Sequence, residues 1–371
     1  MRILHLTDHY PPVLGGIETH VSTLAAHQAD RGDDVSVLTT SPASADGRVS
    51  DDAGPVRVRR ARSLLEGARV DVASFDVVHA HVSVVAPFTA PVAALAARRG
   101  LPTVVTVHSL WNGMGPLPEA AAAIGGLRSA PVVWTAVSEV AASQLRARLP
   151  RRTSVRVLPN AVTVAPRRRT PRRDGGRPVH LVSTMRVARR KRPVQLVRMF
   201  DALARAVDVP VRLTVIGDGP LRPRVERLVV RRGLSGQVTV TGRVGPEAVL
   251  GLLAEADLYV APAVLESFGL AALEARCVGL PVVAHAGSGL VDFVTDGVEG
   301  ALCADDADMV RRLRDLVADG DLRAGIAEHN RTVPSPLTWA HALEQHDLTY
   351  DVACRTSRAR LEPALRPVPG G

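Results

Sequence analysis

Two glutamates stand eight residues apart at the ends of the segment Glu266-Ser267-Phe268-Gly269-Leu270-Ala271-Ala272-Leu273-Glu274. Gly269 permits a tight turn and close approach by a ligand. Leu270 to Cys277 has helical spacing, and Gly279 lies beyond it as a stop signal. At 1.5 Å rise per residue the carboxylates lie about 12 Å apart along the axis. That is too long for the roughly 5–9 Å acid–base pair that hydrolyses sugar linkages. It suits an elongated ligand held at both ends, with its middle at the helix N-terminus. Free N–H groups and partial positive charge there favour a phosphate or pyrophosphate. A bare pair at this spacing also fits an ordinary amphipathic helix with two solvated glutamates.

A second group points the same way. Arg186 and Lys191, in Met185-Arg186-Val187-Ala188-Arg189-Arg190-Lys191-Arg192-Pro193, follow a predicted strand and precede a predicted helix. Arginine grips phosphate with a bidentate fork, and lysine acts as a point charge. Taken alone, the loop also reads as a solvated basic turn. In the first half, Gly15-Gly16 joins the first strand to a helix, a phosphate-binding layout, with Glu18 and His20 in the first helical turn. The pattern is not G-x-G-x-x-G, and no acidic residue ends the second strand, so dinucleotide binding is not the reading. His79, His81, His108 and Ser138 fall at predicted C-terminal strand ends, where sheets of this kind bind ligands.

Alternating strands and helices must position these groups. Arg2–Thr7, Val35–Thr39, Phe75–Ala80, Thr103–Val107, Val132–Val137 and Val155–Leu158 read as strands of one sheet. Val179–Thr184, Val211–Ile216, Val238–Thr241, Asp257–Ala261, Pro281–Ala284 and Ala301–Cys303 read as strands of another, with helical patterns between them. The predicted division is 1–165 for the first domain, a basic linker over 166–177 and 178–335 for the second domain. A helix over 336–355 then returns to the first domain, and 356–371 reads as a disordered tail. The chain has 371 residues, 46% of them hydrophobic, which suits two domains.

Its formal charge is +9, mostly from arginine, which suits phosphate-bearing partners. The cluster Arg57–Arg62 and the absence of a spanning apolar run fit reversible association with an anionic membrane surface; a compositional arginine bias fits them equally. Aromatic residues make up 3%, too few to stack single-stranded nucleic acid, and no zinc-finger or RNP-like pattern occurs. Three cysteines without metal-ligand spacing and an N-terminus without a long apolar stretch point to a reducing cytoplasm.

The ordered set of motifs resembles the retaining glycosyltransferases of family 4. It comprises Gly15-Gly16-Ile17-Glu18, Val78-His79-Ala80-His81, Thr106-Val107-His108, Val137-Ser138-Glu139, Leu158-Pro159-Asn160, Arg186 with Lys191, Gly217-Asp218-Gly219-Pro220, Val240-Thr241-Gly242 and Glu266 to Glu274. The resemblance implies an α/β chain of GT-B fold: two facing Rossmann-like, doubly wound parallel-sheet domains with a C-terminal helix crossing back to the first. Two departures stand out: Met185 where the family has glycine, and Asp292 where it has glutamate. The first is compatible with the family's turn if its φ is negative. Asp8-His9-Tyr10-Pro11-Pro12 also resembles the branch that glycosylates phosphatidylinositol.

By that resemblance Arg186 and Lys191 hold the donor pyrophosphate, Glu266 the donor sugar and Glu274 the ribose. Ser267, Phe268, Gly269 and Leu270 lie near sugar and phosphate, and Gly217, Gly219, Gly242 and Arg243 line the base pocket. Gly15, Gly16, Glu18, His20 and Ser138 face the acceptor, Gly16 touches the donor as well, and His108 sits beside the reacting carbon. The expected activity is retaining hexosyl transfer from a nucleotide diphosphate sugar (GDP-mannose or a UDP-sugar) to a lipid or small-molecule hydroxyl. No cofactor and no metal are expected. A nucleotide-sugar 2-epimerase on the same fold, and a nucleic-acid-binding protein, are the alternatives.

Overall fold

The computed structural model describes residues 1–13, 15–43, 54–69, 71–83, 85–110, 126–163 and 176–361. Residues 111–125, nearly all of a Gly- and Pro-rich stretch that the sequence reads as a loop from Trp111 to Gly126, lie outside them, as do most of the basic linker and the last ten residues of the predicted tail. The chain divides into two compact units. Unit 1 is Met1–Ala161 with Leu337–Gly371, and unit 2 is Val162–Pro336.

Unit 1 carries strands β1 (Arg2–Thr7), β2 (Asp34–Thr39), β3 (Val56–Arg60), β4 (Val77–Val82), β5 (Thr103–Val107), β6 (Val133–Ala136) and β7 (Val155–Val157). They form one sheet in the order β3-β2-β1-β4-β5-β6-β7, every pairing parallel. Helices α1 (Gly16–Asp30), α2 (Leu64–Ala68), α3 (Thr89–Arg98) and α4 (Glu139–Arg146) make the crossovers. The central strands are buried along nearly their whole length, which is why they read as continuous apolar or β-branched runs rather than alternating ones. β3 escaped the sequence reading because Val-Arg-Val-Arg-Arg looks like a charge cluster. It is an edge strand whose arginines alternate outward, and Arg57 pairs with Asp34 while Arg60 donates to the carbonyls of Ser41 and Pro11.

In unit 2, β8 (Val179–Thr184), β9 (Val211–Ile216), β10 (Val238–Val240), β11 (Leu258–Ala261), β12 (Val282–His285) and β13 (Gly300–Cys303) form a parallel sheet in the order β10-β9-β8-β11-β12-β13. Helices α5 (Pro193–Ala206), α6 (Arg222–Arg231), α7 (Pro246–Glu255), α8 (Leu270–Cys277), α9 (Asp306–Ala318) and α10 (Gly320–Thr332) accompany it. The core of Phe200, Leu196, Leu181, Val215, Val260 and Leu313 lies between sheet and helices.

Helix α11 (Trp339–Leu361) returns to unit 1 and runs past residue 355, so the first part of the expected disordered tail is helical. Its Tyr350 and Ala353 pack on Ile3, Val77 and Val104 of β1, β4 and β5. Its Trp339 and Ala342 pack on Leu24 and Ala161. Among the described residues no helix is long and apolar enough to cross a membrane.

Candidate functional site

In unit 2 the site is built where β8, β9 and β11 end. The loop after β8 interlocks with the turn after β9. Met185 N–H donates to the Ile216 carbonyl at 2.9 Å, Val187 N–H to Asp218 at 2.9 Å, and Leu221 N–H to Val187 at 3.0 Å. Gly217, at φ 130°, comes so close that a Cβ would lie 2.0 Å from the Met185 carbonyl oxygen. Among the described residues the only non-glycine with positive φ is Arg192, so Met185 accepts the negative φ that its glycine-free position requires. This lock fixes the path from which Arg186 and Lys191 project. Arg186 is exposed, and Lys191 forms an ion pair with Glu266.

Gly269, at φ 93°, is the N-cap of α8, and a Cβ there would lie 2.7 Å from Leu290 Cδ1. Gly289 N–H donates to the Glu266 carbonyl at 2.8 Å, pinning the turn that carries the glutamate. Phe268 is buried against Phe293, so it anchors the turn while Glu266, Ser267 and Leu270 are half-buried. Acid, base and helix N-terminus thus converge, as the sequence predicts. Glu274 stands a helix length away, largely desolvated, and burial raises its carboxyl above the usual range. Its carboxylate has no hydrogen-bond partner among the described residues. Gly219, Gly242 and Arg243 belong to the neighbouring turns: Gly217 N–H meets the Gly242 carbonyl at 3.1 Å, and Arg243 is exposed.

Arg192 carries no signal in the sequence beyond its charge. Its φ of 56° is a left-handed conformation that costs a non-glycine residue about 1–2 kcal/mol. The guanidinium offsets this through contacts with Asp306 at 2.6 and 2.8 Å, the Pro262 carbonyl at 3.0 Å and His285 Nε2 at 3.1 Å. It ties the loop after β8 to three other segments. Asp306 and Asp308, which flank Ala307, are spent on the same framework: Asp306 on Arg192, and Asp308 on the Ala304 N–H and Arg311.

Unit 1 offers a different surface. Gly15 and Gly16 start α1 exposed, and the Glu18 carboxylate folds back so closely that a Cβ at Gly15 would lie 2.3 Å from Oε2. His108 follows β5 and is 6% exposed. Three expectations need correcting. Ser138 is fully buried and is the N-cap of α4, accepting from Ala141 N–H at 3.1 Å, so its hydroxyl is a helix cap and does not face an acceptor. His79 and His81 lie within β4, beneath the surface, rather than at its end. His20 is buried, its ring stacked on Trp339 at 5.7 Å and 5.5 Å from the ring of His108, so it does not stand exposed toward an acceptor.

These histidines belong to one buried polar network. His108 Nε2 meets His81 Nδ1 at 3.0 Å, His81 Nε2 meets His5 Nδ1 at 2.9 Å, and His5 Nε2 meets Gln28 Oε1 at 2.7 Å. Gln28 Nε2 donates to the Tyr350 hydroxyl at 3.0 Å, which meets His79 Nδ1 at 3.0 Å. Burial drives every ring toward neutrality: His5 to about 4, His108 to about 3, His79 and His81 well below the usual value. Ligand nitrogens of His5, His79 and His81 lie within 4.8 Å of one another, a spacing that fits a metal. All six ring nitrogens are nevertheless engaged in hydrogen bonds, with Thr106 taking the last.

Residues 14–166 match the family described as Glycosyltransferase Family 4, and residues 168–333 match Glycosyl transferases group 1. The chain is 30% identical over 357 residues to the D-inositol 3-phosphate glycosyltransferase of Rhodococcus erythropolis, spanning 81% of this chain and 79% of that one. It is 43% identical over 111 residues to a GDP-mannose-dependent alpha-(1-6)-phosphatidylinositol dimannoside mannosyltransferase of Mycobacterium tuberculosis, but that match spans only 29% of this chain and 28% of the relative. Among solved structures, sucrose-phosphate synthase from Thermosynechococcus elongatus superposes with a TM-score of 0.74 at 20% identity, covering 95% of this chain and 99% of that one.

Proposed function

This chain belongs to family 4 of the glycosyltransferases and has their GT-B fold, and from that premise we propose that it moves a hexose, with its anomeric configuration retained, from a nucleoside diphosphate sugar to a hydroxyl of a lipid or small-molecule acceptor. The observation that carries the reading is the convergence of Lys191, Glu266 and the N-terminus of α8, with Arg186 on the same loop and Glu274 a helix length beyond. A diphosphate at the helix start leaves its sugar toward Glu266 and its ribose toward Glu274. The two relatives' names both contain an inositol unit, one as a phosphate ester and one lipid-borne, which supports a polyol hydroxyl as acceptor and GDP-mannose as the first donor to try. Neither the epimerase nor the nucleic-acid reading draws support from the matches.

The chemistry is a front-face substitution. The acceptor oxygen bonds to the anomeric carbon on the side from which the phosphate leaves. The carbon–phosphate-oxygen bond breaks, and the acceptor proton passes to the departing diphosphate. Arg186, Lys191 and the α8 N–H groups stabilise the charge that grows there. They supply the positive charge for which other transferases use a metal, so activity should survive EDTA. Glu266 already neutralises Lys191 and holds sugar hydroxyls, and does not serve as a nucleophile. His108 orients the transferred sugar. The basic excess supports reversible contact with anionic lipid, with Arg59 and Arg62 exposed beside the engaged Arg57 and Arg60. Proton NMR of the first-formed product, with GDP-mannose and UDP-sugars offered against inositol-containing acceptors, tests the reading. A product of inverted anomeric configuration would overturn it.

A further inference from the structure

We propose that Arg192 is a positioning residue for the Lys191–Glu266 pair: its guanidinium, braced by Asp306, holds both members of that pair in place for the donor diphosphate. The role in turnover rests on the reading that Lys191 and Glu266 hold the donor; the brace itself does not.

The backbone comes first. Arg189–Lys191 form a 3-10 turn and α5 begins at Pro193, so Arg192 is the single residue between them. The ring of Pro193 disfavours the right-handed helical region for the residue before it. Arg192 takes the left-handed region, its N–H on the Arg189 carbonyl at 3.2 Å and its carbonyl accepting from Leu196 N–H at 3.0 Å. A residue with a side chain stays in that region only where its surroundings over-determine it. The turn's own hydrogen bonds would suit glycine as well. What arginine adds is its side chain.

That side chain and its neighbour grip one segment at two points. Arg192 Nη1 donates to the Pro262 carbonyl, and Lys191 Nζ pairs with the Glu266 carboxylate. Two adjacent residues of the loop after β8 therefore hold both ends of the stretch from Pro262 to Glu266. A third path leads to the same glutamate. Arg192 Nη1 also meets His285 Nε2, the His285 carbonyl accepts from the Ser288 hydroxyl at 2.6 Å, and Gly289 N–H holds the Glu266 carbonyl. Asp306 supplies the counter-charge. Its two oxygens take Nη1 and Nη2 as a fork, which fixes a guanidinium in angle as well as distance. Lysine, by contrast, is a point charge on a flexible stem. Lys191 and Glu266 still pair without the guanidinium, but their place beside the α8 N–H groups is no longer fixed.

The test is a mutant cycle on the full chain, with kcat and amide hydrogen exchange measured at a temperature where every variant is folded. Arg192→Gly accepts the left-handed backbone without strain and removes the brace. Its kcat should fall about tenfold, the cost of a slightly misplaced catalytic group. In a Lys191→Ala background the same change should cost less than about threefold, because the residue being positioned is gone. Asp306→Ala leaves residue 192 intact and should lower kcat about threefold, again with little further loss beside Lys191→Ala. An unchanged kcat in Arg192→Gly, or a loss that multiplies in full with that of Lys191→Ala, would overturn the positioning role. Should Arg192→Gly not fold, Asp306→Ala decides by the same two outcomes. In the substrate-free protein the Lys191 amide, bonded to the Ala188 carbonyl at 3.0 Å, and the Gly289 amide should exchange several-fold faster in Arg192→Gly than in wild type. Equal rates would overturn the brace itself. Exchange needs no donor, so a wild type that transfers no sugar would sink the transferase reading and leave this result standing.

Discussion

A carboxylate withdrawn from water accepts hydroxyls well but holds its proton more tightly. Glu274 is in that position, raised by burial. Its charged form is the one that grips a diol, so nucleoside diphosphate affinity should fall as pH drops through its raised pKa, above the pH where an ordinary glutamate titrates. Calorimetric titration across that range checks this, and Glu274→Gln should flatten the profile. Glu266→Ala should lower kcat more than affinity, and Glu274→Ala the reverse. Lys191→Ala and Arg186→Ala should each lower kcat on the order of 100-fold, the typical cost of one electrostatic contact to a developing anion; near-wild-type rates would restore the surface-loop reading. At this scale the sequence was informative where partners share one segment. Glu266, Gly269 and Glu274 lie within nine consecutive residues, so their spacing alone placed them on one helix start. Arg192 was illegible because its partners Pro262, His285 and Asp306 come from three distant stretches. The histidine network was illegible for the same reason: it joins β1, α1, β4, β5 and α11.

Elements hold the site through close backbone approach. At Gly217 a side chain would meet the Met185 carbonyl at 2.0 Å in a left-handed conformation, so Gly217→Ala must prise the two loops apart. We expect a loss of about 2–4 kcal/mol, read as a melting temperature lower by roughly 5–15 °C, together with weaker donor binding. Gly251 in the middle of α7 is the contrast: a Cβ there meets nothing within 4 Å. Gly251→Ala should stabilise unit 2 by about 1 kcal/mol, because alanine favours the helix and narrows the unfolded ensemble. Most strands were readable from their apolar runs because both sheet faces are covered. β3 was not, since an edge strand needs only one buried face and its arginines dominate the composition.

Across the whole molecule, charge and chain order have consequences that no single site shows. Six buried histidines of unit 1, His5, His20, His79, His81, His108 and His346, have pKa values depressed by desolvation. The unfolded chain binds their protons below about 6.5 while the folded unit holds them off, down to about 4 at His5 and His346, so folding stability rises with pH through that window and is lost as pH falls. Scanning calorimetry from pH 7 to 5 should show a transition for unit 1 that moves down steeply. Unit 2, whose depressed histidines are His180 and His285, should move less. Chain order adds a second consequence. Tyr350 and Ala353 cover Ile3, Val77 and Val104, yet all of unit 2 is encoded between them. A growing polypeptide therefore completes its second unit first. The first-made sheet waits with one apolar face and one end of its hydrogen-bond wiring open until the last helix leaves the ribosome, which makes the nascent chain, rather than the finished protein, the form most in need of a chaperone.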